Sequence, residues 1–312
     1  MNFNDINSFG RDRTPFLFIS DFKAKNIKVI PLDKLKDYDI EFCIDENYTK
    51  KKYKNSFEKL PISFNEYKKK FDYVIEKIRS GETYLLNLTQ ATPINTHLSL
   101  TEIYHNANAP YKLRYKDKFV CFSPEKFIEI EDSTIHTYPM KGTIDASLEN
   151  AEHEILSNKK EMAEHLMIVD LLRNDLSIIA NDVKVLDYRY LNTIEAGSKK
   201  LIQVSSHISG NVSPNWQDRI GDILKALLPA GSISGTPKKS TLRIIEDVEK
   251  YDRGFFSGVF GIFDGNSFKS AVMIRFIQQI DDKMMYKSGG GITLDSNAKD
   301  EYDELLDKVY LP

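Results

Sequence analysis

Apolar residues recur along the chain at strand or helix spacing, and they predict strands in series that are interrupted by helices. Ser63 and Glu66 have the spacing of a capping box, and apolar positions at helical spacing follow until Gly81. This pattern predicts a helix from Ser63 to Gly81. Strands are predicted at 16–19, 27–30, 40–44, 84–91, 119–122, 127–130, 134–138, 259–263, 271–277 and 284–286. Two further helices are predicted to begin at Ser99 and at Ser213, and two to span 158–174 and 299–310. Another is predicted to end at about Tyr251.

The order of these elements predicts the fold class. Strands in series, interrupted by helix pairs and without βαβ alternation, indicate an α+β protein with antiparallel sheets. The glycines at 289–291 are expected to form a turn. Because no repeat, low-complexity stretch or linker-like segment marks an interior boundary, we expect one domain over 1–312, with 1–60 as a short amino-terminal segment of it.

Charge and cysteine usage narrow the class of protein. The 43 basic and 46 acidic residues give a net charge of −3, which provides no global field for nucleic acid. The lysine-rich segments at 50–54 and 68–70 are expected to be solvated faces. Two cysteines, Cys43 and Cys121, are too few for a disulfide framework, and no apolar run approaches a membrane span. We therefore expect a cytoplasmic protein that binds neither nucleic acid nor membranes.

Carboxylates border the apolar face of two predicted helices. At about 100° per residue, each set falls within a narrow arc beside the buried stripe. The sets are Glu161, Glu164 and His165 on the helix at 158–174, and Glu301, Glu304 and Lys308 on the terminal helix. Paired carboxylates at the margin of a core would suit Mg²⁺ better than zinc. The alternative is an ordinary solvated face with surface ion pairs.

A glycine-containing segment, the 231–238 loop, precedes a predicted helix that has Pro237 in its first turn. Free N–H groups and the positive end of the helix dipole would favour an anion there. Three residues separate Gly231 from Gly235, so the spacing is not that of a Walker A phosphate loop. A carboxylate is as suitable a ligand as a phosphate, and a plain turn before a helix is the alternative.

Two cationic residues stand in unusual surroundings. Lys141 follows a predicted strand and precedes Gly142; in an apolar pocket its amine would be neutral and nucleophilic, whereas in an open turn it would be solvated. Arg275 is centred in the predicted strand at 271–277, so its guanidinium would need an anion. Bidentate binding of a ligand carboxylate and a buried structural ion pair are both open.

Taken in order, six segments of the chain resemble the motifs of the chorismate-binding enzymes. The segments are 138–143, 161–175, 231–238, 253–254, 289–296 and 301–308. This family includes anthranilate synthase component I, aminodeoxychorismate synthase component I, and the isochorismate and salicylate synthases. The resemblance covers about 67–308 and implies one chorismate-utilising catalytic domain, in which two antiparallel sheets pack together with helices outside.

The resemblance also implies roles for individual residues. Glu164 and Glu304 would bind Mg²⁺, and Glu161 and Glu301 would assist through water. Lys141, Thr143 and His165 would be catalytic. The substrate chorismate would be bound by Gly231, Ser232, Ser234, Gly235, Lys238, Arg275, Gly289, Gly290, Gly291 and Lys308.

Lys141 and Leu85 distinguish branches of the family. Lysine at 141 resembles aminodeoxychorismate synthases, whereas anthranilate synthases carry alanine there; isochorismate and salicylate synthases carry a water-activating lysine where Leu85 stands. We therefore expect amination of chorismate to 4-amino-4-deoxychorismate, for p-aminobenzoate and folate, with ammonia from a separate glutaminase subunit. Anthranilate synthase component I is the first alternative, and a nucleotide-binding or sensory protein is the second. Phe256 departs from a tyrosine of the anthranilate synthases.

Overall fold

The computed structural model describes residues 2–44, 57–196 and 199–311. The lysine-rich segment at 50–54 lies outside the described residues. The α-helices are α1 (Phe3–Arg11), α2 (Phe64–Arg79), α3 (Leu100–Asn106), α4 (Ala151–Ser157), α5 (Lys159–Ser177), α6 (Ile220–Leu227), α7 (Lys238–Glu249) and α8 (Ala298–Asp307). Short 3-10 helices lie at Leu32–Tyr38, Trp216–Arg219 and Gly231–Ile233.

The strands form two antiparallel sheets, of nine and eight strands within the described residues, so the predicted α+β class is confirmed. The strands are β1 (Phe16–Ser20), β2 (Ile27–Pro31), β3 (Ile40–Ile44), β4 (Glu58–Lys59), β5 (Leu85–Asn95), β6 (Tyr111–Tyr115), β7 (Phe119–Ser123), β8 (Lys126–Glu131), β9 (Thr134–Thr137), β10 (Met140–Asp145), β11 (Asn181–Ala196), β12 (Lys199–Asn211), β13 (Gly235–Thr236), β14 (Val259–Phe263), β15 (Phe268–Val272), β16 (Phe276–Ile280) and β17 (Lys283–Ile292).

The chain divides into two compact units. The first contains Met1–Pro15, Lys126–Ser232 and Ile262–Ser270, and the second contains Phe16–Glu125, Ile233–Gly261 and Ala271–Pro312. This division does not test the expectation of a single catalytic domain, which stays a prediction. No helix in the described residues is long and apolar enough to span a membrane.

In the first unit, β12 is the central strand, with β10 and β9 along one edge and β11 along the other. Helix α4 packs on one face of this sheet through a small apolar cluster that contains Ala151, Ile155, Ile202 and Val204. Helix α5 contacts β10, β11 and β12 and begins at Asn158, whose side chain accepts a hydrogen bond from the Glu161 N–H. The sheet therefore holds β10 and α5 side by side.

In the second unit, the strand order is β13-β5-β17-β16-β7-β6-β3, and β4 also pairs with β5. Strands β5 and β17 pair over nine residues, from Met284 opposite Ile94 to Ile292 opposite Leu86. Helix α2 starts at the predicted capping box, in which Glu66 accepts hydrogen bonds from the Ser63 N–H and hydroxyl. Its apolar face is buried, and α2, α7 and α8 pack together with β5 and β17.

The predicted strand at 271–277 is wrong, because the chain changes hydrogen-bonding partners within it. Strand β15 ends at Val272 and β16 begins at Phe276. Between them, Met273 bonds to the backbone of residues 257 and 258, and the Arg275 carbonyl accepts from the Phe122 N–H at 3.1 Å. Arg275 itself has φ 50°, in the left-handed region, so it lies at a corner and not at the centre of a strand.

The predicted turn at 289–291 is also wrong, because these glycines lie in β17, paired with β5. A Cβ added to Gly289 would lie 2.5 Å from the Leu88 carbonyl oxygen. The glycines therefore allow a close approach of two strands and do not form a turn.

Candidate active site

Lys141 lies in strand β10 and not in an open turn, which was one of the two surroundings that the sequence left open. Met140 pairs with Ser205 and Thr143 with Gln203, so Lys141 and Gly142 together face one residue of β12. This is a β-bulge, and Gly142 has φ 86°, which favours glycine. Bulges redirect side chains, and the Lys141 amine lies 3.5 Å from a carboxylate oxygen of Glu164 on α5. Its side chain is 24% exposed.

Glu164 is a buried carboxylate between two lysines. Its Oε2 faces Lys141, and its Oε1 lies 3.9 Å from the amine of Lys160, one helical turn earlier. Burial raises the pKa of Glu164, Glu161 adds to the rise, and the lysines oppose it. Glu161 and the exposed Thr143 of β10 complete the predicted residues here. The structure thus brings the lysine and carboxylates of two sequence motifs together.

His165 is completely buried beside this group. Its Nε2 lies 2.6 Å from the Ser206 hydroxyl of β12, and burial lowers the pKa of the ring to about 4. The positive charges of Arg189 and Lys141 lower it further. The ring is therefore neutral at physiological pH. Its predicted catalytic role is not tested by this arrangement.

In the second unit, the predicted arc on the terminal helix is present on α8. Glu301 is buried and accepts a hydrogen bond from the Ser296 hydroxyl at 2.8 Å. Lys308 donates to the Gly289 carbonyl at 2.9 Å and pairs with exposed Glu304 at 2.6 Å. A Cβ on Gly290 would lie 3.3 Å from a Glu301 oxygen and 3.8 Å from the Lys308 amine. The glycine strand, a carboxylate and an amine therefore share one surface.

Within the described residues, the charge of half-buried Glu125 acts on Arg275, but no buried carboxylate lies within ion-pair distance of its guanidinium. Its guanidinium lies 5.7 Å from the ring centre of Tyr310, and its Nε, like the Tyr286 hydroxyl, is buried without a hydrogen-bond partner among the described residues. An orphaned buried donor is costly, and a bound anion would satisfy it. This favours the first of the two roles that the sequence left open.

The 231–238 loop is built differently from the prediction. Gly231 packs against Asp175 and Leu171 in the first unit, and Ser232 follows it. In the second unit, Gly235 pairs with β5 as part of β13. The backbone carbonyl of buried Ser234 accepts from the Asn87 N–H at 3.0 Å. Pro237 precedes α7 and provides no side-chain cap, and Lys238 is the first helical residue. Residues 234–236 of the loop are therefore bound to β5 by backbone hydrogen bonds, and the uncapped start of α7 follows them.

The predicted metal ligands fit Mg²⁺ by their chemistry. Glu161 and Glu164 lie in the first unit, and Glu301 and Glu304 lie in the second. Across the described ranges, no group of three or more His, Cys, Asp or Glu side chains forms a metal cluster. Mg²⁺ requires no such cluster, because one or two carboxylates with water and ligand oxygens suffice. Glu164, buried with a raised pKa, is a carboxylate that a cation would stabilise.

Sequence reasoning missed three residues that contact the predicted site residues. Lys160 is four residues before Glu164, and the i, i+4 spacing was a usable signal. Ser296 and Ser206 bond to Glu301 and His165. Ser206 comes from a distant strand, and no local pattern in the sequence marks it.

Comparisons with known proteins agree on one family. Residues 29–311 match the family described as chorismate binding enzyme. The chain is 50% identical over 310 residues to the "Uncharacterized PabA-like protein" of Haemophilus influenzae, covering 98% of this chain and 94% of the relative. It is 32% identical over 259 residues to aminodeoxychorismate synthase component 1 of Salmonella typhimurium, covering 78% of this chain and 56% of that protein.

A solved structure supports the fold. Anthranilate synthase component I from Streptococcus pneumoniae matches with a TM-score of 0.67 and 25% identity, over 81% of this chain and 58% of that one. The chain thus spans somewhat more than half the length of these two synthases.

Proposed function

Because this chain belongs to the family of chorismate-binding enzymes, we propose that it aminates chorismate at C4 to give 4-amino-4-deoxychorismate. The product would serve p-aminobenzoate and folate synthesis. The observation that carries this proposal is the Lys141 amine, which a β-bulge directs toward buried Glu164. The similarity to aminodeoxychorismate synthase component 1 supports it, at 32% identity.

In the proposed reaction, Lys141 is the nucleophile. Glu164, which faces the amine at 3.5 Å, helps to hold it in place. The unprotonated form of the amine is the nucleophile: it forms a bond to C2 of chorismate, the two ring double bonds shift, and the C4–O bond breaks as the hydroxyl takes up the proton that the amine loses and leaves as water. Ammonia then adds at C4, the double bonds shift back, and the C2–N bond breaks as the proton that the added ammonia loses passes to the departing lysine nitrogen. Covalent catalysis of this kind divides one difficult displacement into two easier ones.

Charge neutralisation accounts for the other predicted residues. Chorismate carries two carboxylates, and Arg275, with its unsatisfied Nε, suits the ring carboxylate. Lys308, beside the glycines of β17, adds positive charge. In the first unit, buried Glu164 would bind Mg²⁺, with Glu161 acting through water. The ion, when bound, would neutralise a carboxylate and stabilise charge on the leaving hydroxyl.

The proposal includes a separate glutaminase subunit as the source of ammonia. Water is a poor alternative nucleophile, because Leu85, at the position of the water-activating lysine of isochorismate synthases, is an apolar side chain that is 3% exposed at the start of β5. Free ammonium salt should replace the subunit in an assay, so the partner need not be present for the test.

The test incubates the purified chain with chorismate, Mg²⁺ and excess ammonium salt at mildly alkaline pH. Products are followed by liquid chromatography with mass detection and by a pyruvate assay. We expect a 4-amino product that retains its enolpyruvyl group, without pyruvate. Anthranilate with pyruvate would instead assign the chain to the tryptophan branch.

The second part of the test replaces the proposed nucleophile. Lys141→Ala should reduce 4-amination by at least about 10³-fold, because removing a covalent nucleophile removes the first chemical step. With ammonia omitted, the wild-type chain should carry an adduct on Lys141 with the mass of chorismate minus one water. Lys184→Ala, on exposed β11, is the matched control and should be fully active. Full activity of Lys141→Ala would exclude the covalent route.

A further inference from the structure

Arg189 lies in a second β-bulge, on the opposite edge of β12 from Lys141. The pairing of β11 with β12 shifts register between Asp187 and Tyr190, and Arg189 lies within this shift with φ 54°, in the left-handed region. Its N–H donates to the hydroxyl of buried Ser206 at 2.9 Å. A left-handed backbone is unfavourable for a residue other than glycine, and such strain is often found where a side chain must be aimed for a function.

The guanidinium of Arg189 caps the C-terminal end of α4. Its Nη1 donates to the Leu156 carbonyl at 2.9 Å, and its Nη2 donates to the Ile155 carbonyl at 3.2 Å. The last carbonyl groups of a helix lack donors within the helix, and a cation at that end also complements the helix dipole. The Nε of Arg189 is buried without a hydrogen-bond partner among the described residues. The bulge therefore places the two ends of the guanidinium on α4 and leaves its third nitrogen unsatisfied.

Helix α4 packs directly on the bulge that carries Lys141. Ile155, one of the two residues that Arg189 binds, is buried and belongs with Val204 to the apolar cluster beneath the helix. Val204 is the residue of β12 that faces the bulge. A Cβ added to Gly142 would lie 3.5 Å from Ile155, so the helix contacts the bulge itself. Because a bulge interrupts the ladder of backbone hydrogen bonds, its conformation depends on packing contacts of this kind.

We propose that Arg189 is a positioning residue for Lys141. Its guanidinium holds the end of α4 on the sheet, and Ile155 thereby stays packed against Gly142. The bulge then keeps the direction that brings the Lys141 amine within 3.5 Å of Glu164. The hydrogen bonds, the packing contact and this ion pair all lie within the first unit. The inference rests on the proposed role of Lys141 as the nucleophile, and it gives Arg189 a function without contact to the substrate.

The test uses Arg189→Gly, because glycine accepts the left-handed backbone and the substitution then removes only the side chain. In the free chain, hydrogen–deuterium exchange should become at least about threefold faster over 151–157 and over 140–145, since the end of α4 is released from the sheet. The kcat for 4-amination, measured per folded chain by circular dichroism, should fall about 10- to 100-fold, as expected for a misplaced reacting group, with KM changed less than about twofold.

Two controls separate positioning from a general loss of stability. Exchange over α6, in the same unit, should stay at the wild-type rate in Arg189→Gly. Arg219→Ala, which removes an arginine from an exposed ion pair with Asp222, should leave both the exchange and kcat unchanged. Arg189→Lys keeps the positive charge but has one terminal nitrogen in place of the fork, so it should restore part of the activity, to within about three- to tenfold of the wild-type kcat.

The outcomes separate the positioning role from the proposed function. A wild-type kcat, or wild-type exchange over 140–145, in Arg189→Gly would overturn the positioning role. If Arg189→Gly does not fold, the same two results in Arg189→Lys would overturn it. If exchange over 140–145 rises as expected while the wild-type chain yields no 4-amino product, Arg189 holds the bulge and the proposed function fails.

Discussion

The bulge at Lys141–Gly142 can be tested with a pair of glycine substitutions that differ only in their surroundings. Gly142 has φ 86° and Gly81, after α2, has φ 76°. A Cβ on Gly142 would lie 3.2 Å from a Glu161 oxygen and 3.5 Å from Ile155, whereas a Cβ on Gly81 would meet nothing within 4 Å. Gly81→Ala therefore controls for the backbone cost of Gly142→Ala.

The magnitudes follow from this geometry. A non-glycine residue in the left-handed region costs about 1–2 kcal/mol, and the stiffer unfolded chain offsets roughly 0.4–1 kcal/mol of it. Both variants should thus lose about 1 kcal/mol of unfolding free energy. The Glu161 contact adds little to this, because the end of a flexible side chain can move by a few tenths of an ångström. The two variants should differ in activity, because Gly142 is next to the proposed nucleophile Lys141 and Gly81 is not. Displacement of a reacting group by about 1 Å costs on the order of 10²-fold in rate.

The assay measures urea unfolding and 4-amination of chorismate for both variants. We expect similar losses of stability, a fall in kcat/KM of about 10²-fold for Gly142→Ala, and less than a twofold change for Gly81→Ala. A Gly142→Ala chain that is folded and fully active would show that the bulge does not orient Lys141, and the reasoning from bulge to nucleophile would be refuted.

Two further predictions concern stability. Ring nitrogens of His136 and His207 lie 3.0 Å apart, and burial lowers the pKa of both rings. Below about pH 6.5 the unfolded chain therefore binds more protons than the folded chain. The unfolding free energy should fall as the pH falls from there. His207→Gln should flatten this decline in melting temperature between pH 7.5 and 5, and His153→Gln, on exposed α4, should not. Arg253 and Glu249 form a buried ion pair at 2.7 Å. Arg253→Ala should lose about 3–5 kcal/mol in urea unfolding, against less than about 1 kcal/mol for Arg173→Ala in an exposed pair; equal losses would contradict this.

Elements with a local signature were predictable from the sequence. The capping boxes at Ser63 and Ser99 start α2 and α3 as expected, because the bonds that define them span three residues. The long hairpin of β11 and β12 was missed. Most of β11 is exposed or half-exposed, so its sequence lacks a clear apolar face, and only its pairing with β12 makes it a strand.

The same distinction applies to the candidate site. The arc of Glu301, Glu304 and Lys308 was predictable, since helix geometry alone places these residues together. The placement of Lys141 was not, because the bulge arises from pairing with β12, more than 60 positions later in the chain. Gly289 was misleading in the sequence, because a run of glycines indicates a turn. In the structure, glycine is required there because the backbone of Leu88 approaches closely.

The choice between branches of the family depends on the surroundings of two positions. Leu85 is buried at the start of β5, opposite Thr236 of β13, where a leucine can neither hold nor transfer a proton. Lys141 is partly exposed beside a buried carboxylate, which suits an amine that must reach a substrate. Both positions therefore support the proposed use of ammonia, and the presence or absence of pyruvate among the products distinguishes 4-amination from anthranilate formation.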